Sequence, residues 1–387
     1  MIQNIREQMP IIIVMASVLL ALFMSNSAFH ADYEFFVHSY FGILWDDNLF
    51  KKPLHLWVNE GLMSVFFFQV VLEIRHELMF GSLKSMKAAM SPIIGAMGGI
   101  VVPAGIYLVI CGNNTDLLRG WAIPTATDIV FGLAFLDLIV SRQTKGYHLM
   151  RVLLLSIAVV DDLIGIFIIA VYYSQDIHGY FISLSCILII TLMFLRQIGV
   201  TNRYFYTLVG LITWIMVMNS GVHATMAGVV VGMIMPFKNE HELENLHDQL
   251  NPIVTYFIIP LFAFFNAGVN FSDASPTDIF NPLVLGVMLG LWVGKPLGVY
   301  GFMRTFTALG ILKLPDGLLS KHILTVGFLS GVGFTISLFI GSLAFEEAMS
   351  LDNHLKMGIL YGSLLSVLSA WIYWTFRGND GDRIKAV

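Results

Sequence analysis

About twelve stretches of this 387-residue chain are apolar for roughly the length of one bilayer crossing, and that leaves few folds open. Hydrocarbon offers no water to peptide groups, so each stretch must satisfy its own backbone, which a helix does. Runs of about 20 residues predict helices over 10–28, 55–77, 88–111, 119–140, 148–174, 179–197, 204–219, 221–236, 252–270, 283–304, 322–345 and 356–376. Composition agrees: 57% of residues are hydrophobic and 12% charged, where a soluble domain carries about 25% charged. The fold class expected is an all-α polytopic membrane protein, one transmembrane domain spanning 1–387. The first run, Ile11 to Met24, follows a single Arg and precedes no Ala-x-Ala site, so it reads as an uncleaved helix. Cys111 and Cys186 fall at or inside apolar segments and imply neither a disulfide nor a metal framework.

Four charges interrupt the apolar runs: Asp128, the tandem pair Asp161-Asp162, and Lys295. Each costs about 2.5–3.5 kcal/mol at a helix centre, roughly 10–14 kcal/mol together before any pairing. A cost of that size argues against an inert ion-pair network and for an ion or proton pathway. Counting places the charges at similar depth. Asp128 lies 17 residues before Lys145 and Asp161 lies 16 after it, so each sits roughly 24–26 Å of helix from that loop. Lys295 is nine residues from Arg304, again near mid-depth.

Neighbours Asp161 and Asp162 point about 100° apart on a helix, so one can line a pocket while the other meets a partner. Two buried carboxylates this close do not both ionise cheaply, and their titration belongs to the pair. Such a pair can release protons and then bind a small hard cation through oxygen, helped by Thr hydroxyls and unwound carbonyls. A site that holds proton or cation in turn, open to either side alternately, is an exchanger. Lys295 admits two roles: a salt bridge to Asp162 released by the cation, or compensation of negative helix ends. Asp128 can likewise offset positive helix N-termini.

Charge distribution sets the orientation. With the N-terminus in the cytoplasm, Lys51, Lys52, Arg119 and Lys356 fall outside, Lys295 is in the membrane, and the other 16 of the 21 Lys and Arg fall inside. Both termini are then cytoplasmic. One inside connection, 238–248 (KNEHELENLHD), is acidic and dissents. The longest outer connection, 29–54, contains YFGILWDDNLFKKP, which predicts a short β-hairpin turning at Asp46-Asp47-Asn48.

Two stretches are poor continuous helices. WAIPTATDIVFG (121–132) carries Pro124, Thr125 and Thr127 ahead of Asp128, and GFLSGVGFTISLFIG (327–341) concentrates Gly, Ser and Thr. They make the fourth and eleventh helices interrupted ones.

GWAIPTATDIVFGLAFL, AVVDDLIGI, SGVHATMAGVVVG, PLFAFFNAGV, GKPLGV and GVGFTISLFIGSLAF, in this order over most of the chain, closely resemble the NhaA family of sodium/proton antiporters. The resemblance implies a bacterial inner-membrane, electrogenic, pH-regulated exchanger. It would expel Na⁺ or Li⁺ against inward protons, with no cofactor and no enzymatic activity. It makes Asp162 the principal cation and proton carboxylate and Asp161 its partner. Thr127 and Asp128 match the crossing element, and Lys295 the intramembrane lysine. Glu60, Glu73, Glu77 and His223 match positions tied to function or pH response. A homodimer through the outer hairpin is also implied. Two departures bear on the pH set point: LEIRHEL has His76 where a basic residue is usual, and LHDQLNP lacks an expected Glu.

The interrupted helices are the middle members of two three-helix blocks, the third to fifth and the tenth to twelfth. An offset of seven helices runs the blocks in opposite directions, the inverted repeat for which this same family is a type example. Three rival readings have less support. An intramembrane aspartyl protease needs a Gly-x-Gly-Asp-like motif, but Val159-Val160 precedes the pair. A sodium-coupled organic-solute symporter lacks a marker such as an Arg beside the broken helices, and a cation channel favours repeated acidic rings. No basic surface points to nucleic acid.

Overall fold

The computed structural model describes residues 2–42, 51–81, 83–174, 177–271, 275–345 and 348–377. Eight helices in it are long and apolar enough to cross a membrane, two further crossings are bent pairs, and two shorter apolar helices make twelve segments. In chain order we label α1 (Ile2–Ser25), α2 (His30–His38), β1 (Tyr40–Phe41), β2 (Lys52–Pro53), α3 (Leu54–Met79) and α4 (Met86–Cys111). There follow α5 (Thr115–Thr125, a 3-10 helix), α6 (Ile129–Ile139), α7 (Tyr147–Tyr172), α8 (Gly179–Gln197), α9 (Arg203–Met218), α10 (Thr225–Ile234) and α11 (Glu240–Asn266). The last are α12 (Pro282–Ala308), α13 (Ser320–Ser330), α14 (Phe334–Ala344) and α15 (Met349–Arg377).

Two expectations need correction. The acidic stretch 238–248 is not a loop: Asn239 caps α11 by accepting from Glu242 N at 3.0 Å, and Glu240 and Glu242 occupy the favourable first turn. Polar composition hid the helix start, so the ninth helix begins near 240 and not at 252. The outer connection 29–54 is not all loop either, because α2 occupies part of it. Past α2, β1 and β2 pair antiparallel, Tyr40 opposite Pro53 and Phe41 opposite Lys52. The expected turn at Asp46-Asp47-Asn48 lies outside the described residues.

The chain's contacts gather into two compact units. The first takes in Met1–Ile11, Glu77–Gly165 and Asp273–Val387, and so gathers α4 to most of α7 with α12 to α15. These are the two three-segment blocks. Their leading helices α4 and α12 pack backbone to backbone, since a Cβ on Gly98 would collide with Gly298 O and one on Gly298 with Gly98 O. This contact sets the depth of Lys295, three residues before Gly298. The ammonium of Lys295 lies 3.6 Å from where a Cβ on Gly99 would stand. Immediately before Lys295, Gly290–Gly294 form a π-helical turn, whose altered phase decides which way the lysine points.

The second unit takes in Ile12–His76 and Ile166–Ser272. Here the short α10 ends inside the protein, and two arginines serve its last carbonyls. Arg75 donates to Gly232 O at 2.6 Å and Met235 O at 2.8 Å, while Arg196 reaches Met233 O and Ile234 O, each at 3.2 Å. Cations at a helix C-terminus also oppose its dipole. On α3, a π-helical turn at Trp57–Leu62 presents Asn59 to Asn266 of α11. The two buried amides bond reciprocally, at 3.0 and 2.8 Å.

Placing a methyl group between two touching backbones predicts that Gly298→Ala destabilises the first unit by about 1–3 kcal/mol. A thermal melt of the detergent-purified protein measures it. An unchanged midpoint would mean that α4 and α12 do not meet at Gly98 and Gly298.

Candidate functional site

Both interrupted crossings break where the sequence predicts. α5 and α6 meet at 50° across Ala126–Asp128, and α13 and α14 at 46° across Gly331–Gly333. Ala126 and Asp128 are extended. The breaks touch: Asp128 N donates to Val332 O at 2.7 Å. Each interrupted crossing also supplies a hydroxyl to the last turn of the other's leading half-helix. Thr127 Oγ1 lies 2.9 Å from Ser330 O, and Ser337 Oγ donates to Ile123 O at 2.7 Å. The Ser337 bond satisfies a carbonyl that would otherwise face a dry interior, while Thr127, with one hydroxyl proton, divides it between Ser330 O and Asp161 Oδ2. Gly333 has to be small here, since a Cβ would stand 3.0 Å from Ala126 O and closer still to Ser337 Oγ.

Asp128 is the N-cap of α6, its Oδ1 accepting from Phe131 N at 3.3 Å. Its other oxygen accepts from Thr335 N at 3.0 Å and from the Thr335 hydroxyl, in the first turn of α14. The α14 N-cap itself is Gly333, without a side chain to offer. One carboxylate therefore serves two helix N-termini, where its charge opposes both dipoles. Thr335 was not among the predicted site residues. Its signal was a hydroxyl two residues into a half-helix that starts at glycine.

Asp161 and Asp162 lie on α7, both about 5% exposed. Lys295 is fully buried, and its ammonium donates to Asp161 Oδ2 at 2.7 Å and to Thr127 Oγ1 at 2.8 Å. The Thr127 hydroxyl also stands 2.7 Å from Asp161 Oδ2. Pairing of Lys295 with Asp162, one of the two roles open to it, is thus corrected: the hydrogen bonds go to Asp161. The reason is helix phase, which turns the two aspartates about 100° apart so that only one faces Lys295. Asp162 still acts on Lys295 electrostatically. Asp161 Oδ1, by contrast, is buried and has no hydrogen-bond partner among the described residues. The site thus combines a neutralised aspartate that keeps one oxygen available, a second aspartate beside it, a hydroxyl, and backbone carbonyls at a crossing. Hard monovalent cations and protons take oxygen donors of this kind. A carboxylate bound to an ammonium is also unlike the paired acids of an aspartyl protease.

Glu60, Glu73 and His223 belong to the second unit and Glu77 to the first. Glu60 holds Lys52 of β2 in a salt bridge at 2.7 Å, and His223 lies within electrostatic reach of the same lysine. Glu73 and Glu77 are half-buried near the end of α3.

Residues 4–374 match the family described as Na⁺/H⁺ antiporter 1. The chain belongs to the NhaA family of Na⁺/H⁺ antiporters. It is 41% identical over 377 residues to "Na(+)/H(+) antiporter NhaA 2" of Magnetococcus marinus, covering 94% of each chain. It is 41% identical to "Na(+)/H(+) antiporter NhaA" of Vibrio cholerae, covering 92% of each, and 42% identical to that of Yersinia pseudotuberculosis, covering 91% of this chain and 90% of the relative. These relatives give no support to the symporter and protease readings. Membership of the NhaA family makes the chain a multi-pass integral membrane protein of transporter type.

Because Asp128 caps two helices at about 1–2 kcal/mol each, Asp128→Ala is expected to cost roughly 2–4 kcal/mol. Asp128→Asn, which keeps an acceptor oxygen at only one of the two caps, should fall between wild type and Asp128→Ala. Denaturant unfolding in detergent checks the order, and an Asp128→Ala protein as stable as wild type would sink the shared cap.

Proposed function

We propose that the protein extrudes Na⁺ or Li⁺ in exchange for protons at Asp161 and Asp162, by access alternating between the two membrane faces. The observation that carries this reading is the oxygen site itself. Lys295 occupies one oxygen of Asp161, the other has no hydrogen-bond partner among the described residues, and Asp162 is the next residue on α7, beside the crossing of two broken helices. A cation entering there adds charge to a site already holding an ammonium, and weakens the attraction between Lys295 and Asp161. Protons taken up by the aspartates have the same effect. Cation and proton therefore compete, and competition at a site open to one face at a time is exchange. Two titrating carboxylates per cation make the exchange electrogenic. Asp128 and Thr127 hold the crossing and Lys295 balances its charge; none of the three need carry the ion.

The finer assignments rest on the charge pattern and the family resemblance. They are a bacterial inner membrane, both termini in the cytoplasm, and a homodimer joined through the outer hairpin. Regulation by pH would involve Glu60, Glu73, Glu77 and His223. For Glu60 the Lys52 salt bridge supports a link between the hairpin and the turn of α3 that holds Asn59.

In everted vesicles, adding Na⁺ or Li⁺ should discharge a proton gradient reported by a pH-sensitive dye. Asp162→Asn should abolish the response while the protein still inserts, and normal transport by that variant would overturn the site. Since protons occupy the same oxygens, the apparent KM for Na⁺ should fall as pH rises. A KM independent of pH would argue for separate cation and proton sites.

A further inference from the structure

His76, near the end of α3, faces two glutamates on the opening turns of α11, all within the second unit. Its Nε2 stands 3.4 Å from Glu240 Oε1 and 3.3 Å from Glu244 Oε1, and the three atoms lie within 4.8 Å of one another. We propose that these residues bind a first-row divalent cation of the zinc class, a site separate from the transport carboxylates.

The spacing carries the argument. Donors 2.0–2.2 Å from a tetrahedral ion stand about 3.3–3.6 Å apart. The imidazole nitrogen already keeps close to that distance from both carboxylate oxygens, so one ion bound by all three has three protein ligands with little rearrangement. Glu240 and Glu244 are four apart on one helix face, so their charges repel unless a cation joins them. Glu240 also sits in the first turn of α11, where the helix dipole favours the carboxylate form a ligand needs. With a neutral imidazole the three ligands carry two negative charges, which one divalent ion neutralises. An imidazole among the donors selects a borderline ion over the hard alkali cations taken by an all-oxygen site.

The surroundings permit it. The neighbouring Arg75 guanidinium is turned away, into the carbonyls at the end of α10 and over the Phe237 ring. The backbone of Lys238 donates to Glu242, which leaves Glu240 and Glu244 to His76. Seven residues back along α3, Gln69 donates to Asn251 at 3.2 Å and stands 3.4 Å from His247 Nε2, residues seven further along α11. The site would thus close the open end of an existing polar seam between these helices and clamp them there.

The test uses full-length protein without a histidine tag, purified in detergent and titrated with Co²⁺, whose visible absorption reports coordination. One Co²⁺ per chain should bind saturably, with tetrahedral absorption, and be displaced by Zn²⁺ but not by Na⁺ or Mg²⁺. His76→Gln and the double variant Glu240→Gln/Glu244→Gln should each weaken binding by about tenfold or more. Both alter partly exposed groups, and an unchanged metal-free gel-filtration profile shows that they fold. Binding unaffected by either variant would place the metal on other histidines, and no saturable binding would leave only an ion pair between His76 and the glutamates. Either result overturns the proposal.

Discussion

Unwound backbone in the middle of a bilayer has no water to bond, and the first unit is arranged around that constraint. The two breaks meet it together: a main-chain bond joins Asp128 to Val332, and Thr127 and Ser337 each reach the last turn of the other crossing's leading half-helix. Asp128 then closes both helix starts. Once the crossing is satisfied in this way, four helix ends point into one small volume and supply fixed partial charges of both signs. Lys295 and Asp161 can be buried there because Thr127 bonds to both. Remove the crossing and the same two charges would face hydrocarbon, at a cost of several kcal/mol per ion.

Much of this could be read from the chain. Apolar run length gave the crossings, Pro124 and the glycines of 327–341 marked the breaks, and the expense of buried charge singled out Asp128, Asp161, Asp162 and Lys295. Other features depend on helix phase or on distant partners. The choice of Asp161 over Asp162 by Lys295 turns on the rotation of α7 and on the π-helical turn at Gly290–Gly294, which periodicity cannot register. The opening of α11 was hidden because a helix entering from water looks, in composition, like a charged loop. Arg75 reads as a surface cation until the end of α10 is seen to need it, 157 residues away in sequence.

The second unit solves a related problem differently. Its short helix α10 is no longer than ten residues, and its last carbonyls are taken by guanidinium groups from α3 and α8 instead of by an opposing break. Paired amides, Asn59 with Asn266, replace paired charges at depth. At depth this unit thus joins neighbouring helices through neutral amides, and its charged clusters, Lys52–Glu60 and His76 with Glu240 and Glu244, lie near helix ends, whereas the first unit buries Lys295 against Asp161.

The shared carboxylate of Asp128 makes the two repeats unequal. The first repeat carries the cap for its own half-helix, and the second starts its half-helix at Gly333, with nothing of its own to close it. The later repeat therefore borrows its cap from the earlier one. During synthesis α14 has its cap already waiting in the membrane, while a second repeat made by itself would insert with an open helix start.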